Sequence, residues 1–76
     1  MDEVIYVAAS CKVADEQGRL HERWGVAAFR GKEQAARFAD LSGDEARVRR
    51  FTASLNEHKL PLLHFYDAVC DFAAAE

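Results

Sequence analysis

From residue 4 to residue 13 apolar side chains recur at every second position, a spacing that suits a strand and not a helix. Ile5, Val7, Ala9, Cys11 and Val13 share one face, and Val4, Tyr6, Ala8, Ser10 and Lys12 the other. The first set is wholly apolar, so the pattern predicts a strand with that set turned to the core. A second strand fits residues 20–29, with Leu20, Trp24, Val26 and Ala28 on its inner face. Between them Asp15-Glu16-Gln17-Gly18 supplies a turn, with a glycine for a residue of positive φ.

A two-residue turn at Gln17-Gly18 sets Cys11 opposite Trp24, Ala9 opposite Val26 and Val7 opposite Ala28. Those pairs fall on one face, and a slip by one residue would turn one strand over. Residues 32–41 suit a helix by propensity but can extend the sheet, and a third strand is preferred because two strands alone are marginal in water.

After residue 41 the period becomes helical. Ser42 and Glu45 form a capping-box pattern at the start of a helix whose inner face carries Val48, Phe51 and Leu55. Asn56 to Lys59 end it. Pro61 opens a second helix, with Leu62, Phe65, Tyr66, Val69 and Phe72 as its buried stripe. The expected fold is α+β: a small antiparallel sheet of two or three strands with two C-terminal helices packed on one face, in the order ββ(β)αα. With 76 residues, this is one domain spanning 1–76.

Apolar residues make up 50% of the chain and charged residues 30%, as in an ordinary globular domain. The net charge of −3 lacks the basic excess of a general nucleic-acid binder, so nucleic acid is not an expected partner. The first residues lack a secretory pattern and no run approaches the ~20 apolar residues of a membrane span, so a cytoplasmic location without membrane contact is expected. Cys11 and Cys70 stand in no metal-ligand spacing and read as small buried hydrophobes; a bridge between them would need their Cα atoms within ~7 Å.

The C-terminal third, Leu41-Ser42, Leu55-Asn56 and then Leu63-His64-Phe65-Tyr66-Asp67-Ala68-Val69-Cys70-Asp71-Phe72, resembles a family of short uncharacterised bacterial proteins. Its members carry N-terminal strands and end in a pattern like His-Leu-x-Asp-Val-Val-x-Asp-Phe. His64, Asp67, Val69, Asp71 and Phe72 match; Phe65 stands for the leucine and Ala68 for the first valine. The resemblance covers about the last 35 residues. It implies a fold outline and supplies no activity.

Three sets of residues could carry chemistry. His64, Asp67 and Asp71 lie at helical spacings of three and four, so they could hold a divalent metal, or Asp67 could orient His64 as a base; the plainer alternative is a solvated face. Arg47, Arg49 and Arg50 could touch phosphates, or could balance Asp44 and Glu45 on an exposed helix. Tyr6, Ala8, Ala27 and Phe29 fall outside the core in the chosen register, with Tyr6 paired to Phe29, and form an apolar patch. Such patches mark interfaces. No phosphate loop, catalytic triad order or paired-cysteine motif occurs, and no cofactor, metal or catalytic residue is expected. The function expected is a small non-enzymatic protein-interaction or regulatory module that self-associates or binds a protein partner. The alternatives are a weak nucleic-acid module using the arginines, or a metal- or histidine-dependent enzyme using His64, Asp67 and Asp71.

Overall fold

The computed structural model, which describes residues 3–75, places three strands ahead of two helices. Strands β1 (Val4–Ala14), β2 (Leu20–Arg30) and β3 (Glu33–Ser42) form an antiparallel sheet in that order, with β2 central. Helix α1 (Glu45–Glu57), a single 3₁₀ turn (Leu62–His64) and helix α2 (Phe65–Ala74) follow. The α+β order with a third strand is therefore the one the sequence predicts.

The first hairpin corrects the predicted register. Its turn is one residue longer than a Gln17-Gly18 closure: the Asp15 amide donates to the Arg19 carbonyl at 2.9 Å, and the Gly18 amide to the Asp15 carbonyl at 3.0 Å. Gly18 sits at φ 79°. Such three-residue loops place a left-handed residue just before the second strand. The Asp15 carboxylate fixes the loop by accepting from the Gln17 and Arg19 amides, each at 2.9 Å.

One residue of loop length reverses β1. Tyr6 now lies opposite Ala28, Ala8 opposite Val26, Ser10 opposite Trp24 and Cys11 opposite Arg23. The inner face of β2 is as predicted, with Val26 and Ala28 buried, but β1 presents Val4, Tyr6 and Ala8 to the core. Ile5, Val7, Ala9, Cys11 and Val13 look outward. Because side chains alternate, a shift of one position moves the whole set to the other face.

Both helices pack on the inner face. Val48 and Leu55 of α1 and Phe65, Val69 and Phe72 of α2 meet Tyr6, Val26 and Ala28 in one cluster. The Phe65 ring is at its centre, 4.9 Å from the Tyr6 ring and 5.1 Å from that of Phe38. Tyr66, predicted in the buried stripe, is 64% exposed because the helix turns it past the sheet. The α1 N-cap is Asp44 rather than Ser42: Asp44 Oδ1 accepts from the Arg47 amide, and Ser42 Oγ accepts from the Asp44 amide. The Ser42–Glu45 box is thus displaced by two residues, because Ser42 is still paired in β3 opposite Trp24.

Gly25 shapes the junction of β2 and β3. A Cβ there would lie 2.1 Å from the Phe38 carbonyl oxygen and 2.8 Å from the Ala39 Cα. Only glycine lets the β3 backbone cross so close. The crossing coincides with a register shift between Trp24 and Val26 and with Asp40 at φ 57°. β3 pairs with β2 no farther than Trp24, so the distal part of the β1–β2 hairpin continues as a two-stranded ribbon. Every residue from Lys12 to Glu22 is exposed, and the molecule measures 47 Å by 27 Å by 18 Å.

Candidate interaction surface

Both helices pack on the inner face, and among the described residues no helix lies over the outer face of the sheet. Along β1 it carries Ile5, 47% exposed, Val7, 44% exposed, and Val13, 36% exposed. Ile5 lies opposite Phe29 and Val7 opposite Ala27 on β2. Ala27 is only 3% exposed although it faces outward, because it is small and sits in the central strand. Toward β3 the face turns polar, with Arg37 beside Ala27, Gln34 beside Phe29, and an ion pair between Arg23 Nε and Asp40 Oδ1. The result is an apolar stripe on the β1 side with a charged margin on the β3 side.

Two residues of the predicted patch belong elsewhere. Tyr6 is 2% exposed and Ala8 half-buried, both turned toward the helices; Ala27 and Phe29 do lie on the outer face. Tyr6 and Phe29 do not pair. The outward residues that the sequence assigned to the core, Ile5 and Val7, take the place of Tyr6 and Ala8.

Tyr6 is held by three polar contacts. Its amide donates to Asn56 Oδ1 at 2.8 Å, its carbonyl accepts from Asn56 Nδ2 at 2.8 Å, and its hydroxyl donates to the Leu60 carbonyl at 2.7 Å. Burial pushes the phenol above its ordinary value. Leu60 is in reach because α1 ends in a left-handed Lys59, φ 50°, with the Leu60 amide returning to the Leu55 carbonyl. The sequence marked Asn56 only as part of a helix end. Asn56 stands at the mouth of a groove of about 280 Å³ between β1 and α1, lined also by Ala8, Arg49 and Ala53.

A wider groove of about 510 Å³ runs beside the ribbon, past Val13, Asp15, His21, Arg23 and Asp40. Two pairs of side chains within it are engaged with one another: His21 Nε2 lies 2.8 Å from Asp15 Oδ2, and Arg23 pairs with Asp40. The hydrogen bond from His21, with those from the Arg19 and Gln17 amides, lowers the Asp15 carboxyl below its ordinary value, against a smaller opposing effect of desolvation.

The other predicted sets are placed as follows. His64 ends the 3₁₀ turn and Asp67 and Asp71 follow on α2, all exposed. Among the described residues no group of three or more His, Cys, Asp or Glu side chains is arranged to hold a metal ion. Arg47 lies over the Phe72 ring at 4.2 Å and donates to its carbonyl at 3.2 Å; Arg49 pairs with Glu45 at 2.7 Å and lies 5.0 Å over Trp24. Those two arginines tie α1 to α2 and to the sheet. Both cysteines are free. Cys11 is half-buried on the outer face and Cys70 exposed on α2, so neither is the fully buried hydrophobe predicted. Cys11 lies opposite Arg23 rather than Trp24, and shares the outer face with His21, which pairs with Val13. The neighbouring Cys70 side chain raises the Tyr66 phenol above its ordinary value, with smaller contributions from desolvation and from the Asp67 charge. Among the described residues no helix is long and apolar enough to cross a membrane.

In comparisons with family models, curated proteins and solved structures, the chain matches none.

Proposed function

We propose that this protein is a small non-enzymatic interaction module whose β1 side of the sheet associates with a second copy of the chain. The observation that carries this reading is the exposure of Ile5, Val7 and Val13 in one row on a face that neither helix covers. Contiguous apolar surface of this kind costs free energy in water at roughly 25 cal/mol per Å² and is relieved by association. A second copy is the occupant favoured, because an apolar row flanked by its own charged margin is self-complementary about a two-fold axis. The free thiols fit a reducing compartment, and we place the module in the cytoplasm.

A nucleic-acid role gains little support, since Arg47 and Arg49 are engaged with Phe72, Glu45 and Trp24. Light scattering on a size-exclusion column tests the proposal. A dimer is expected for the native chain and a monomer for Val7→Glu, a change at an exposed site that leaves the core intact. A native chain that remains monomeric at high concentration contradicts it.

A further inference from the structure

We propose that the second copy adds to the free edge of β1, antiparallel, with the two-fold axis passing between Cys11 and its equivalent, to give one continuous six-stranded sheet. This rests on the self-association reading above and specifies which groups meet.

The sheet has two edges, and they differ. β3 is interrupted by two register shifts and by Asp40 at φ 57°, features that twist an edge away from pairing. β1 runs eleven residues in unbroken register with β2. A long, regular, largely apolar edge is a template for another strand.

Two observations fix which backbone groups of β1 point outward. The Asp15 amide bonds across the hairpin to Arg19, so odd-numbered residues of β1 bond to β2. Tyr6 bonds instead to the Asn56 carboxamide, so even-numbered residues point away from β2. By that alternation the backbone groups of Ala8, Ser10, Lys12 and Ala14 face the open side. Asn56 occupies this side at Tyr6, and an added strand must stop short of it.

That constraint selects a register. If Ser10 met the second copy's Ser10, Ala14 of the incoming strand would arrive opposite Tyr6 and collide with Asn56. If Lys12 met Lys12, two like charges would be opposed and only a short overlap would remain. Centred on Cys11, the edges pair Ala8 with the second copy's Ala14, Ser10 with Lys12, and Ala9 with Val13. The even-numbered pairs are then the hydrogen-bonded ones, as the outward groups require. The strand of the second copy ends opposite Ala8, just before the clamp. Its acidic turn, Asp15 and Glu16, arrives at the groove lined by Arg49. Val13, partly exposed in the single chain, gains Ala9 as a cross-strand neighbour.

The test uses the full chain with Cys70→Ser. Opposed non-hydrogen-bonded residues lie about 4.5 Å apart at Cα, within reach of a disulfide. Under diamide, which takes up two electrons and two protons from a thiol pair, Cys11 is expected to cross-link two copies. A thiol moved to position 9 (Ala9→Cys with Cys11→Ser) faces Val13 and is expected to cross-link at least roughly tenfold more slowly. Ser10→Pro removes an outward N–H that β2 does not use. It is expected to raise the dimer dissociation constant roughly 100-fold while circular dichroism is unchanged. If the native chain dimerises but Ser10→Pro dimerises equally, or position 9 cross-links as fast as position 11, the edge arrangement is overturned and self-association stands. If the native chain is monomeric, both fall.

Discussion

Asn56 holds Tyr6 as a neighbouring strand would, its carboxamide oxygen accepting from the Tyr6 amide and its nitrogen donating to the Tyr6 carbonyl, each at 2.8 Å. Two residues fifty positions apart thus join the end of α1 to the edge of the sheet. The same contact satisfies two partly buried backbone groups and sets a limit on how far that edge is open.

Removing the clamp is therefore costly. Asn56→Ala is expected to destabilise the fold by about 1–3 kcal/mol, the cost of leaving buried partners unsatisfied. Asn56→Asp keeps the shape but cannot donate to the Tyr6 carbonyl while ionised. Its carboxyl should titrate above the ordinary range, so its contribution is present at low pH and lost as pH rises through the raised value. Urea midpoints of the aspartate variant, measured from pH 4 to pH 8, should fall relative to the native chain as pH increases.

The Tyr6 hydroxyl is a second support, donating to the Leu60 carbonyl at 2.7 Å. Tyr6→Phe is expected to cost about 1–2 kcal/mol, less than the ~3–5 kcal/mol for Phe65→Ala at the centre of the core. Because burial raises the phenol, the stability it contributes is complete below the unfolded value of ~10 and lost as pH climbs through the folded one. The native chain should lose stability under alkali, and Tyr6→Phe should lose less. Thermal melts between pH 8 and pH 11 check both.

At the ribbon tip the sign is opposite. Asp15 is lowered by its hydrogen bonds to His21 and to the Arg19 and Gln17 amides, so its contribution is present above the ordinary carboxyl value of ~3.9 and disappears as pH falls through the folded one. Acidification from pH 6 to pH 3 should shift the amide resonances of Gln17 and Arg19 with a midpoint below ~3.9, and Asp15→Asn should abolish that titration.

Gly25 has no tolerance for a side chain. Gly25→Ala places a Cβ against the Phe38 carbonyl oxygen and should destabilise by about 3 kcal/mol, read as a lowered melting temperature. Gly18→Ala meets no neighbour but holds a left-handed backbone, and should cost only about 1 kcal/mol.

The alternation of residues 4–13, the helical stretch after residue 42 and the stripe of Phe65, Val69 and Phe72 were all legible in the sequence, because each is a local period; the cap at Asp44 was not, since Ser42 offers the same capping pattern. The facing of β1 was not. It depends on whether the turn closes at Gln17-Gly18 or at Asp15 and Arg19, and the Asp15 carboxylate, by bonding to two amides of the loop, decides for the longer closure. An aspartate three residues before a glycine was the available signal. Tyr6 was misplaced because Ile5, Val7 and Val13 make a more apolar set than Val4, Tyr6 and Ala8. What reverses that preference is a hydroxyl acceptor at Leu60 and a carboxamide at Asn56, and both come from a helix end far along the chain.

Hydroxyl-radical footprinting across a dilution series tests whether two copies join at the β1 edge. Cys11 and Val13, which gain cross-strand neighbours at the joined edge, should be labelled in dilute protein and protected as concentration rises, while Tyr6 stays unlabelled throughout. Labelling of Tyr6 in the dilute folded chain, or unchanged labelling of Cys11 and Val13 at every concentration, would contradict that joining.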